Sequence, residues 1–103
     1  MLLPVRTAVL NYLYQVEEAD INGIMKALEP MYGKEKQFNK KMFLEHVMSL
    51  EANGLVEMKG YELDPQGELV LCYVITADGR RTVEKYIPAK HRQKERLLNA
   101  ILW

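Results

Sequence analysis

The chain has 103 residues, of which 49% are hydrophobic and 27% charged, with a formal net charge of zero. That length makes one domain of ordinary globular composition with one modest core, so apolar residues left outside it need a partner or stay exposed. Zero net charge argues against a generic polyanion binder and leaves only local basic patches to meet a nucleic acid.

The single cysteine, Cys72, excludes an intramolecular disulfide and points to a reducing, cytoplasmic compartment. It lies in the apolar run "LVLCYVI" and reads as a plain core residue. The opening "MLLPVRTAVLNYLY" has no basic lead-in and no small-residue cleavage site after it, unlike a secretory leader. No run approaches the roughly 20 apolar residues of a membrane span.

In chain order, Pro4 suits a first helical turn, and Val5, Ala8, Val9, Tyr12, Leu13 and Val16 recur at helical spacing, which predicts a helix over residues 4–17. Asp20 is a good N-cap for a second helix lined by Ile21, Ile24, Leu28 and Met31, with Pro30 marking a bend or an early stop. Gly33 and "GKEKQ" form a loop. Asn39 caps a third helix, and Phe38 and Phe43 stand at the two positions of a hydrophobic staple. Phe43, Val47 and Leu50 continue its buried stripe to Gly54, a residue suited to a left-handed helix end.

Two strands, "LVEMKGYEL" and "ELVLCYVI", flank the turn tetrad "DPQG" and should pair as an antiparallel hairpin. Thr76 caps the helix "ADGRRTVEKYI", with Val83, Tyr86 and Ile87 facing inward. After Pro88, "AKHRQKERLLNAILW" reads as a final helix.

The expected class is therefore mainly α with a small antiparallel β-hairpin. In element order, and in the segments "LEANGLVEM" and "YVITADGRR", the chain resembles small bacterial and archaeal winged-helix transcription regulators, particularly the PadR-like and MarR-like groups. The resemblance implies a winged helix-turn-helix domain over residues 1–87 with an additional C-terminal helix over 88–103. It implies that the third helix lies in the major groove of double-stranded DNA and that the wing touches the backbone. It also implies a homodimer through the terminal helices.

Charge placement tests those implications. Residues 34–54 carry four basic and three acidic side chains, whereas residues 55–79 set Lys59 against five acidic ones, a net of −4. Lys34, Lys36, Lys40 and Lys41 surround the entry to the third helix, where phosphates would lie. Asn39 has adenine-reading geometry if capping does not occupy it, and Glu45 and Ser49 can reach base edges from the exposed face. With Lys59 on the wing, these eight residues are the candidate DNA-binding set. A solvated lysine loop is the competing reading. Glu62 and Glu68 bracket the wing tip and would repel a backbone, so either the wing points away or the helix entry does most of the binding. Arg80 and Arg81 read as surface arginines.

The tail is basic through Lys90, Arg92, Lys94 and Arg96, then apolar through Leu97, Leu98, Ile101, Leu102 and Trp103. Those five apolar residues are the candidate dimerisation set; they either fold back on the first helix and Leu2-Leu3 or cross to another subunit. His46 and His91 have no neighbouring ligand set, and neither a phosphate loop nor a Gly-x-Ser-x-Gly turn is present. No enzyme activity, metal or cofactor is expected. The functional alternatives are a DNA-binding regulator and a winged-helix protein-interaction module without DNA binding.

Overall fold

The computed structural model describes residues 3–36 and 38–92. Its elements run α1 (Val5–Val16), β1 (Glu18–Asp20), α2 (Ile21–Tyr32), α3 (Lys40–Ala52), β2 (Val56–Leu63), β3 (Leu69–Ile75), α4 (Ala77–Tyr86) and α5 (Ala89–Arg92). The architecture is mainly helical with a three-stranded antiparallel sheet in the order β1-β3-β2, compatible with a winged-helix fold.

Helix α1 is the hub. Ala8, Val9, Leu10, Asn11 and Leu13 are all buried, so the helix is covered on more than one side. Its neighbours α2 and α3 add Ile21, Ile24, Leu28, Tyr32, Phe43, Val47 and Leu50 to the same core. The predicted inner stripe of α2 is right except at its end. Met31 is 50% exposed, and Tyr32 takes the fourth inward position, its hydroxyl donating to the Leu3 carbonyl at 2.6 Å. Pro30 does not stop the helix, which runs two residues further.

Every anticipated N-cap forms. The side chains of Asp20, Asn39 and Thr76 accept from the amides of Gly23, Met42 and Gly79 respectively. Each satisfies one amide that a helix start leaves without an internal partner. Phe38 and Phe43 meet edge to face with ring centroids 5.1 Å apart.

At the far end of α3, Gly54 takes φ +75°. Its amide donates to the Glu51 carbonyl at 2.9 Å, and the Leu55 amide reaches back to the Leu50 carbonyl at 3.0 Å. That pair of bonds is a Schellman ending, and it turns the chain directly into β2. The hairpin turn closes through the Gly67 amide donating to the Asp64 carbonyl at 2.8 Å, with Gly67 at φ +80°. The Asp64 carboxylate also accepts from the amides of Gln66 and Glu68.

The sheet departs from the expected two-stranded hairpin. Glu18–Asp20 form a third strand, pairing Glu18 with Val74, Ala19 with Tyr73 and Asp20 with Cys72. Its entry is a sharp turn at Glu17, which has φ +74° and whose carbonyl accepts from the Ile75 amide at 3.0 Å.

Two inward placements in the second half also need correction. Val83 and Ile87 are buried, but Tyr86 is 69% exposed. Cys72 is only half-buried and lies outside the core. Of the final helix only Ala89–Arg92 falls within the described residues. The candidate dimerisation residues Leu97, Leu98, Ile101, Leu102 and Trp103 lie outside them.

Gly79 fills a position with no room for a side chain. A Cβ there would stand 2.1 Å from the Leu55 carbonyl oxygen and 2.7 Å from Ile75 Cγ1. Gly79→Ala should lower the unfolding free energy by about 1–3 kcal/mol, the usual cost of overpacking. Denaturant titration followed by circular dichroism reads it, and a midpoint equal to that of the unmodified chain would contradict the packing described.

Candidate nucleic-acid interface

Helix α3 buries Phe43, His46, Val47 and Leu50 and leaves Lys41, Glu45, Met48 and Ala52 exposed along the opposite side. Lys34, Lys36, Lys40 and Lys41 are all exposed at its entry, and none forms an ion pair among the described residues. The first turn of a helix presents unpaired amides and the positive end of the helix dipole, so lysines there raise an already positive potential. The result is a compact, anion-attracting corner.

Asn39 is committed to structure. Its Oδ1 accepts from the Met42 amide at 2.9 Å while Nδ2 donates to the Lys36 carbonyl at 3.4 Å. An adenine contact would have to break the cap. Ser49 is half-buried, and its hydroxyl accepts from Arg6 at 3.0 Å. Glu45 remains exposed.

Lys59 does not join this group. It sits at an irregularity of β2 and is ion-paired to Glu18 across the sheet. The pairing holds its ammonium pKa above the ordinary value, chiefly through the hydrogen bond to Glu18. The two arginines of α4 are paired as well: Arg80 with Glu17 at 3.1 Å and near the Tyr14 ring, Arg81 with Asp78.

One cation beside α3 was not legible in the sequence. Arg6, on α1, donates from Nε to His46 Nδ1 at 3.1 Å and from a terminal nitrogen to Ser49. The contacts span about forty residues, and no local pattern announces them. His46 is itself buried against Phe43, and its Nε2 has no hydrogen-bond partner among the described residues. Burial first, and Arg6 second, hold its pKa below 6.5.

The outer face of the sheet carries different chemistry. Cys72 donates its thiol to Glu62 at 3.2 Å, beside Asp20 and Glu18. Partial burial, that hydrogen bond and the surrounding carboxylates push the thiol up to about 11, so it stays protonated and is a poor nucleophile. Among the described residues no group of three or more His, Cys, Asp or Glu side chains could hold a metal ion. A groove of about 230 Å³ between α1 and α2, lined by Leu3, Ala8, Tyr12, Leu28 and Tyr32, runs up to Lys90 and His91. The His91 carbonyl there accepts from Asn11 and Gln15, both at 3.1 Å. Among the described residues no helix is long and apolar enough to cross a membrane.

His46 predicts a pH dependence. Its folded pKa lies below the unfolded value of 6.5, so on acidification the unfolded chain takes up a proton first. The contribution is fully present above that value and is lost as pH falls below it. Urea midpoints at pH 7.5 and 5 should differ less in His46→Gln than in the unmodified chain. An equal drop in both would remove His46 as the cause.

No family model matches the chain, and no curated protein sequence matches it either. Among solved structures, the chain is similar to RosR of H. salinarum, with a TM-score of 0.59 and 25% sequence identity. The likeness covers 96% of this chain and 91% of that one.

Proposed function

We propose that the protein is a DNA-binding transcription regulator of the winged-helix type. The observation that carries the reading is a cluster of four exposed lysines, Lys34, Lys36, Lys40 and Lys41, which have no ion-pair partner among the described residues and stand at the entry of a helix with an exposed outer side. The likeness to RosR, a winged-helix-type transcriptional regulator, supports the same kind of function. The finer resemblance to PadR-like and MarR-like regulators rests on the segments "LEANGLVEM" and "YVITADGRR".

In this reading α3 enters the major groove, with the four lysines on flanking phosphates and Glu45 facing base edges. Arg6 joins them as a further phosphate contact, and Asn39 and Ser49 position rather than read. The wing stays off the backbone, because its exposed acids would be repelled by phosphate. Residues 1–87 form the DNA-binding domain, in the cytoplasm. Leu97, Leu98, Ile101, Leu102 and Trp103 form the seam of a homodimer together with α1, beside which the described residues leave an apolar groove against α2. The acidic wing favours a second reading, a protein-interaction module that does not bind DNA.

Each lost phosphate contact lowers the dependence of log K on log salt by about 0.9. Lys40→Gln combined with Lys41→Gln should therefore lower the slope for random duplex DNA by about 2. Lys40→Glu with Lys41→Glu should abolish retention on heparin. Slopes and retention unchanged in both would defeat the DNA reading. Light scattering at micromolar concentration should give the mass of two chains; a mass of one chain would defeat the dimer.

A further inference from the structure

The wing combines three features that DNA binding does not use. The first is apolar exposure. Tyr61 faces Leu71 and Leu63 faces Leu69 across the hairpin, so these four share one side of the sheet. That side is continuous with the buried Tyr73 and Ile75, yet Tyr61, Leu63 and Leu69 are 68%, 68% and 54% exposed. The core stripe of the sheet runs on past the core and ends in water.

The second feature is an open edge. In the order β1-β3-β2, strand β2 has, among the described residues, a sheet neighbour on one side only. The Glu51 carboxylate covers the amide of Met58 at 3.3 Å, which together with the irregularity at Lys59 guards the edge near α3 and leaves Gly60–Leu63 unguarded. Edge strands are commonly protected by outward lysines. Lys59, the one lysine of β2, is held by Glu18 across the sheet instead.

The third feature is the sign of the charge. On the opposite side of the same strand, Glu57 and Glu62 stand opposite Val74 and Val70, and both acids are exposed. On either side of the interruption at Lys59–Gly60, β2 therefore sets apolar residues on one side and an acid on the other.

We infer that the free edge of β2 is a docking site for an extended segment of another protein in which lysine or arginine alternates with apolar residues. Such a segment adds as a fourth strand. Its main chain pairs with Gly60–Leu63, its apolar side chains extend the Tyr61–Leu63 stripe, and its cations lie beside Glu62 and, past the irregularity, Glu57. A second copy of β2 is a poor occupant, because edge-to-edge pairing would set acids beside acids. A nucleic acid is repelled by the same charges. The inference stands whether or not α3 binds DNA.

The probe is a fluorescent, end-blocked six-residue peptide alternating lysine and valine, titrated into the full chain and followed by anisotropy. Binding is expected, with none for the peptide carrying glutamate in place of lysine. Glu57→Gln with Glu62→Gln should weaken it by about tenfold, the combined effect of two exposed charge pairs. Strand addition uses every second amide of the incoming segment. N-methylation of one alternate set of peptide amides should therefore abolish binding, and methylation of the other set should leave it. Absence of binding would overturn the inference, as would equal binding by a peptide with its three lysines in one block. Equal responses to the two methylated sets, or affinity unchanged in the double variant, would overturn it too.

Discussion

The arrangement depends on one short clasp between the end of α3 and the start of α4. Gly54 reverses the helix, and its carbonyl accepts the Thr76 hydroxyl at 2.6 Å. One residue on, the Leu55 carbonyl accepts the Thr76 amide at 3.1 Å, and the same hydroxyl caps α4 at Gly79. Both legs of the wing, Val56 and Ile75, emerge from this knot as a pair. The hairpin is thus tied at its base, and its direction relative to α3 is set by main-chain bonds. Gly79 is the one residue type that lets α4 approach so closely. Without the clasp, neither an exposed α3 nor a projecting wing would have a defined relation to the core.

What the sequence made legible was mostly local. Three N-caps, the aromatic staple before α3, the glycine ending and the "DPQG" turn each act within a few residues, so their signals sit in adjacent letters. Strand β1 was not legible, because "EAD" has two acids and no β-branched residue. It is a strand only because the turn at Glu17 lays it against β3. Helical spacing also failed at the margins. Met31 and Tyr86 each lie one position before a residue that takes the inward place, Tyr32 and Ile87, and a hundred degrees of rotation decides which is buried. Cys72 was misplaced because an apolar run does not reveal which side of a sheet its alternate members face.

The candidate site shows the same division. The lysine corner before α3 could be read from spacing alone, whereas Arg6, His46 and Ser49 form a unit that only the fold assembles. That unit also shows why cation counts misjudge an interface. Arg80, Arg81 and Lys59 are all paired to acids, and Arg6 is engaged with α3 itself. Among the described residues Lys26, Lys85 and Lys90 also lack an acid partner but stand singly on other helices, whereas Lys34, Lys36, Lys40 and Lys41 gather at the entry of α3. Affinity for a polyanion follows local potential rather than total charge.

The Arg6–His46 contact has a consequence for the orientation of α3. His46 Nδ1 accepts from Arg6, so the ring carries its proton on Nε2, which is buried without a partner among the described residues. A charged imidazole would carry a second proton on Nδ1, where Arg6 Nε already points, and set a cation against the guanidinium. The neutral form is therefore the one compatible with α3 packed against α1. In that form the ring ties Arg6 to the helix edge, next to the hydroxyl of Ser49 and near the side that Glu45 and Met48 expose. The histidine acts on the outer surface of α3 only through that arginine, and it does so from within the core.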